Sequence, residues 1–353
     1  MNAPVNMGQK VSLVDLTDAG MVQRIGDFVR ERSGSLFHDP RWLQAVEQGT
    51  GQRGGGFVAE QMGAITGWLP LTELRSLLFG KALVSSGFGV GGGILAEDTD
   101  VVSQIVLSSV EYAGRFGFGN IELRGGPIPE GWMSHDDKHC SFERALAQDD
   151  EAELMAIPRK ARAEVRKGLK NDLDISIGRE KADRAAHYAV YAESVRNLGT
   201  PVFPKKLFGA MLDVFPETSD ILTVRRDGKP IASVLSFYHN GAVMPFWGGG
   251  AFAARGARAN ELMYYELMCH ARRKGMERFD FGRSKTGSGP YKFKKNWGFD
   301  PQRLTYSTWA ANPANMRDVD PTSATYARKI AVWKQLPLPI ANWIGPAIAR
   351  GLA

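Results

Sequence analysis

Cysteine is nearly missing: Cys140 and Cys269 are the only two in 353 residues. Two thiols exclude a disulfide framework and any four-cysteine zinc site, and they fit a reducing compartment. No run approaches the roughly 20 uninterrupted apolar residues that a membrane-spanning helix needs. The most apolar segment, "ARKIAVWKQLPLPIANWIGPAIARGLA", is broken by Pro337, Pro339 and Pro346 and interrupted by Lys334. The opening "MNAPVNMGQKVSLVDL" lacks an apolar stretch behind a basic start, so a cytoplasmic protein is expected. No Ser/His/Asp order with a nucleophile elbow occurs, which argues against covalent catalysis.

What is present describes a globular chain, with 43% hydrophobic residues to build cores and 23% charged residues to cover them. Its length exceeds the roughly 250 residues at which one core stops growing, so two domains and a tail are expected, at 1–145, 146–318 and 319–353. The formal net charge of +6 permits an anionic partner, and its clustering matters more than its total.

The chain repeats itself. "AGRFGFGNIEL" at 113–123 and "ARRKGMERFDF" at 271–281 pair Ala113 with Ala271, Gly117 with Gly275, Ile121 with Phe279, and Glu122 with Asp280. Each copy reads as a helix ending at a left-handed glycine, followed by a buried strand. The helices are expected behind Asp100 and Asn260 as N-caps. A glycine run precedes each, "GFGVGGG" at 87–93 and "WGGG" at 247–250, and upstream of these stand hairpins turning at Gly63 and at Asp227-Gly228. Further upstream each copy has a Phe-led helix, "LFHDPRWLQAV" and "VFPKKLFGAML". Helix, hairpin, strand, glycine loop, helix, strand, occurring twice, implies an α/β chain with mixed sheets; the order resembles what two tandem GNAT-like N-acyltransferase domains would produce, here followed by a basic, apolar tail.

Two stretches carry a family resemblance. "IPRKARAEVRKGLKNDLDISIG" at 157–178 is a basic helix running into a strand, and "YKFKKNWGF" at 291–299 carries Phe293, Lys294, Trp297 and Gly298 in a Phe-Lys-x-x-aromatic-Gly pattern. Together they resemble the Fem family of tandem acyltransferase-fold proteins, which move amino acids from aminoacyl-tRNA onto peptidoglycan precursors. "NLGTPVFP" at 197–204 and "FDFGRSKTGSGPYKFKKNWGF" look like the FemAB-related branch associated with exosortase/PEP-CTERM surface systems. The resemblance spans about 30–310, but the long helical arm of several Fem enzymes, associated with some of their tRNA contacts, has no room here. It implies an aminoacyl or acyl transfer to an amine on a cell-envelope or exopolysaccharide precursor, with aminoacyl-tRNA or acyl-CoA as co-substrate and no resident cofactor. It also implies that the Lys294 ammonium faces the acyl carbonyl and stabilises the oxyanion.

The residues themselves support an anion site at the same place. The loop after the strand at 279–281 carries Arg283, Lys285, Lys292, Lys294 and Lys295 and no acid, interleaved with Tyr291, Phe293 and Trp297. Cations pair with phosphates and rings stack on bases; the other reading is a solvated loop whose rings pack on the sheet. Asp280 at the strand end either orients this loop, accepts a proton or pairs with Arg283. On the helix at 159–170, Arg162 and Arg166 share a face, with Lys167 adjacent, as an anion would favour. Trp247, opening the second glycine run, joins the candidate substrate-binding set. Gly87, Gly89 and Gly92 match a dinucleotide glycine pattern, but a strand and helix do not flank it at the distances it requires. "ARGARAN" departs from the CoA pyrophosphate motif at Ala253 and Arg258, and "HDDKHC" at 135–140 reads as a polar linker, not a metal site. A CoA-dependent acyltransferase and a non-catalytic scaffold for anionic polymer stand as alternatives. From 321 to 353 there are four cations, Arg328, Lys329, Lys334 and Arg350, and no acid, so this tail either braces the fold or meets a membrane surface where a lipid-linked precursor would be presented.

Overall fold

The computed structural model describes residues 8–315 and 324–352. In chain order the elements are β1 (Lys10–Leu13), α1 (Ala19–Glu31), α2 (Pro40–Thr50), β2 (Arg53–Gln61), β3 (Ala64–Ser76), β4 (Gly80–Ser85), β5 (Leu95–Ala96), α3 (Thr99–Phe116), β6 (Asn120–Arg124) and β7 (Met133–Ala145). There follow α4 (Asp150–Ala156), α5 (Arg159–Lys170), β8 (Asp174–Gly178), α6 (Lys181–Leu198), α7 (Lys205–Val214), β9 (Ser219–Arg226), β10 (Lys229–His239) and β11 (Ala242–Gly250). The chain continues through α8 (Phe252–Ala257), α9 (Ala259–Arg273), β12 (Arg278–Asp280), β13 (Ser284–Lys285), α10 (Gly289–Asn296), β14 (Pro301–Ala310), α11 (Ala324–Gln335) and α12 (Leu338–Ala349). Two compact units result: Met1–Asp136 with Leu304–Val319 and Arg350–Ala353, and Asp137–Arg303 with Asp320–Ala349.

In the first unit the strand order is β1-β2-β3-β4-β6-β14. It is antiparallel except where β4 and β6 run parallel, with Leu83 opposite Ile121. The β2–β3 hairpin turns at Met62 and Gly63, both with positive φ, matching the twist of the strands. The parallel step needs a crossover, and α3 supplies it. Val101, Ile105, Ser109 and Ala113 form its buried stripe, while Gly67 keeps the sheet clear beneath, since a Cβ there would press on Val101. Trp42 of α2 and Trp68 of β3 are fully buried.

In the second unit the order is β7-β12-β11-β10-β9-β8, with β13 on β7. Asp227 and Gly228 turn the β9–β10 hairpin at positive φ. α9 is the crossover between the parallel strands β11 and β12, and Gly275, at φ 82°, ends it. Phe279, Phe281, Trp297 and Phe299 form an aromatic core with Met263 and Leu267. α11 and α12 lie against α6: Arg196 Nη1 donates to the Lys334 carbonyl, and Ala341, Gly345 and Ala349 are buried, Gly345 close against Val202. No described helix is long and apolar enough to cross a membrane.

The repeat therefore holds at the level of elements, and Ile121 and Phe279 are both fully buried. Several details differ. α3 is capped by Asp98, which accepts from Val101 N, so the helix starts ahead of Asp100. α9 begins behind Arg258 at φ 57° with no side-chain cap, and Asn260 lies inside it. "HDDKHC" is part of β7, because its backbone pairs with β13 and continues into pairing with β12. That pairing carries 137–145 into the second unit, ahead of the boundary expected at 145. The boundary expected between 318 and 319 lies outside the described residues.

Candidate active site

The basic stretch after β12 is only partly a loop. Ser288 caps a helix by accepting from Tyr291 N, and Pro290 sits in its first turn, so Tyr291, Lys292, Phe293, Lys294 and Lys295 belong to α10. Helical spacing separates them: Lys292 and Lys295 are exposed, whereas Lys294 turns inward and is only 8% exposed. Its Nζ donates to the carbonyls of Gly282 (3.0 Å) and Arg283 (3.2 Å), just past β12. The rings of Phe142 and Phe281 flank the ammonium, each centroid 5.3 Å away.

Burial pushes the Lys294 pKa down to about 8; the Asp280 carboxylate opposes the shift and Arg283 adds to it. Asp280 responds in the other sense. Its own burial raises it, with Glu143 adding to the rise and the Gly282 N–H, Lys294 and Arg278 opposing it. Asp280 Oδ1 accepts from Gly282 N at 2.8 Å, fixing the turn whose carbonyls hold Lys294. A buried amine and a half-buried carboxyl on either side of one turn are thus both drawn toward their neutral forms, a condition characteristic of proton-handling sites.

The strands around this point diverge. β11 pairs with β12 only at Ala242↔Arg278 and Val243↔Phe279, yet it continues along β10 to Gly250. Between Pro245 and Trp247 the register shifts, leaving Phe246 as the extra residue of a bulge. Tyr264 of α9 stands at this divergence. Its ring packs on Phe281 (4.7 Å) and Phe293 (5.8 Å), and its hydroxyl lies beside Gly248. Burial pushes its pKa up to about 12, so it stays a neutral donor through the physiological range. Nothing marked Tyr264 in the sequence, because "ELMYYELM" reads as an apolar helix stripe.

In the first unit the corresponding region is filled by its own backbone. Gly93 N donates to the Arg124 carbonyl (3.0 Å), and Arg124 Nη1 donates to the Gly89 carbonyl (2.8 Å). A Cβ at Gly93 would overlap the Gly125 carbonyl oxygen, and one at Gly92 would meet Ser86. The glycines of "GFGVGGG" serve this close packing.

The remaining candidates fall into two groups. Arg162, Arg166 and Lys167, with Arg159 and Lys170, line a recess of about 310 Å³ on α5. Arg162 Nη1 donates to the Met155 carbonyl (3.0 Å), and Glu164 is shared between Lys167 (2.8 Å) and Arg258 (2.7 Å). The start of α5 meets the turn after α10, where Gly298 lies against Pro158. Arg283 and Lys285 are half-buried, Lys285 in β13 opposite His139.

The rings are placed differently from the stacking surface expected of them. Trp297 is 1% exposed in the aromatic core against Tyr264 and Phe281, and Trp247 is 4% exposed among Phe203, Phe208, Phe237 and Phe246. Large rings repay burial more than exposure, and both indoles are packing residues here. Tyr291 packs edge-on against Phe142 and Phe293 leans on Trp297, both half-buried. Among the described residues no His/Cys/Asp/Glu group is arranged to hold a metal.

Comparison with known proteins accords with this geometry. Residues 158–295 match the family described as "Acetyltransferase (GNAT) domain". No curated protein is significantly similar. Among solved structures, FemX superposes with a TM-score of 0.64 at 13% identity, covering 84% of this chain and 96% of FemX. A tandem GNAT protein from the clavulanic acid biosynthesis pathway gives 0.58 at 10% identity, covering 87% and 99%. The C-terminal domain of a putative lysylphosphatidylglycerol synthetase from Agrobacterium fabrum gives 0.55 at 14% identity, covering 84% and 93%. At such identities the likeness establishes the fold: two tandem GNAT-type units.

Proposed function

We propose that the protein is an acyltransferase whose second unit moves an aminoacyl or acyl group from an activated ester onto a free amine of a cell-envelope or exopolysaccharide precursor. The observation that carries this reading is the buried Lys294, held by the carbonyls of the turn that follows the half-buried Asp280, where β11 and β12 diverge. The amine nitrogen attacks the acyl carbonyl carbon, the C–N bond forms, and negative charge gathers on the carbonyl oxygen. A Lys294 N–H directed at that oxygen stabilises it, an effect worth about 3–4 kcal/mol for one well-placed donor. Collapse breaks the bond to the leaving oxygen or sulfur, which takes up a proton as the amine gives one up. Asp280 keeps Lys294 charged, because it is the one group raising that pKa. The cations of α5 would hold the phosphates of an anionic donor. The aminoacyl form of the reaction fits the name of one structural neighbour, a putative lysylphosphatidylglycerol synthetase, and the resemblance of 157–178 and 291–299 to Fem proteins makes aminoacyl-tRNA the donor to test first.

A CoA-dependent transfer is the second reading, favoured by the match of 158–295 to an acetyltransferase (GNAT) domain. The deciding experiment offers charged tRNA carrying labelled amino acids, or acetyl- and acyl-CoAs, to protein freed of bound RNA, with an amine-containing envelope extract as acceptor and mass spectrometry as readout. Label passing from tRNA and lost on RNase addition supports the first reading. Transfer from CoA with saturable binding supports the second. Binding of anionic polymer with no transfer from either donor would leave only a scaffold.

A further inference from the structure

We infer that α11 and α12 form a docking surface for an anionic lipid bilayer, with the apolar outer face of α12 entering the interface and the cations of α11 lying over the headgroups. This inference stands independently of the transfer reaction. In Leu338–Ala349 the one polar residue is Asn342. A helix on a protein surface normally turns polar residues to water, and one that is apolar all round has an apolar environment on every side. The inner side of α12 has one: Ala341, Gly345 and Ala349 are buried. The outer side presents Ile340 at 46% and Trp343 at 81% exposure, with Pro339 and Ala347 exposed beside them. In α11, Val332 is 64% exposed, and Leu198 at the end of α6 is 60% exposed next to Gly199, which lies against Ile330.

The charge identifies the occupant. Arg328 and Lys334 are exposed on α11, and the segment 321–353 contains no acid. A second copy of the same surface would bring these cations against their own kind, since a two-fold interface is self-complementary. Anionic headgroups complement them, and the attraction weakens as salt screens it. An exposed indole beside aliphatic side chains belongs at the boundary between hydrocarbon and headgroup.

The test is sedimentation of the full-length protein with vesicles of phosphatidylcholine alone and of phosphatidylcholine with phosphatidylglycerol, at low and raised salt. The expected result is pelleting with the anionic vesicles, weakened by salt, and reduced about tenfold in the Ile340→Ser/Trp343→Ser double variant. Both positions are outward-facing, so the variant should keep the wild-type melting temperature and its activity toward a soluble acceptor. Protein that stays in the supernatant with anionic vesicles at low salt overturns the inference. So does pelleting that the double variant leaves unchanged, which would mark simple charge attraction, or a dimer in sedimentation equilibrium that the double variant dissociates.

Discussion

Lys294 is an ammonium held where water would otherwise be preferred, and that has consequences with a definite sign. Its pKa in the fold, about 8, lies below the ordinary 10.5, so between those values the unfolded chain binds more protons than the folded one. Stability from this residue therefore rises as pH climbs through that window, by up to about 3 kcal/mol. Comparing wild type with Lys294→Met in denaturant titrations at pH 7.5 and 10 isolates it; a difference that does not change with pH would show the lysine to be solvated. Asp280→Asn should push the Lys294 pKa below about 8, because the influences left, burial and Arg283, both lower it. Titrating the lysine side chain by NMR reads this directly, and an unchanged pKa would break the coupling. The type of Lys294 was legible in the sequence, but its inward direction was not. That direction follows from the helix beginning at Ser288-Gly289-Pro290, a cap signal hidden inside what read as a charged loop. The same ambiguity misplaced Trp247 and Trp297: an aromatic ring among lysines is compatible with stacking on a ligand, and only the packing of Tyr264 and Phe281 around Trp297 decides for the core.

At the scale of elements, the two glycine runs do different work. In the first unit the run is a plug held by backbone contacts, so Gly93→Ala should cost more than about 2 kcal/mol, its Cβ meeting a carbonyl that cannot swing aside. Gly114, exposed in the last turn of α3 with open space around it, is the control: Gly114→Ala should be neutral or stabilise by up to about 0.5 kcal/mol through helix propensity alone. Equal effects at the two positions, measured by chemical denaturation, would contradict the plug. On α5, Arg162→Ala and Arg166→Ala should each lower the slope of log affinity against log salt for an anionic donor by about 1. Unchanged slopes would leave those arginines to Met155 and to solvent. Periodicity and C′ glycines made the helices and hairpins legible, since both signals are local. The bulge at Phe246 and the early parting of β11 from β12 leave no comparable mark, because they depend on which strand lies alongside.

Across the whole chain, one GNAT-type pattern was written twice and then put to unlike uses. Glu122 and Asp280 occupy matching positions, yet Glu122 pairs with Arg124, whose guanidinium locks the glycine plug, whereas the half-buried Asp280 fixes the turn that holds Lys294. The duplication could be read from matched glycines and acids; the division of labour could not, since it rests on whether a loop folds back over the strand ends. The reaction proposed for the second unit comes down to one side chain, and the most direct measurement is single-turnover transfer by wild type and Lys294→Met at saturating donor, alongside donor affinity and melting temperature. The expected result is a loss of about 10²–10³ in rate with affinity and fold retained, the cost of removing one oxyanion donor. Wild-type turnover by a folded Lys294→Met protein would contradict it.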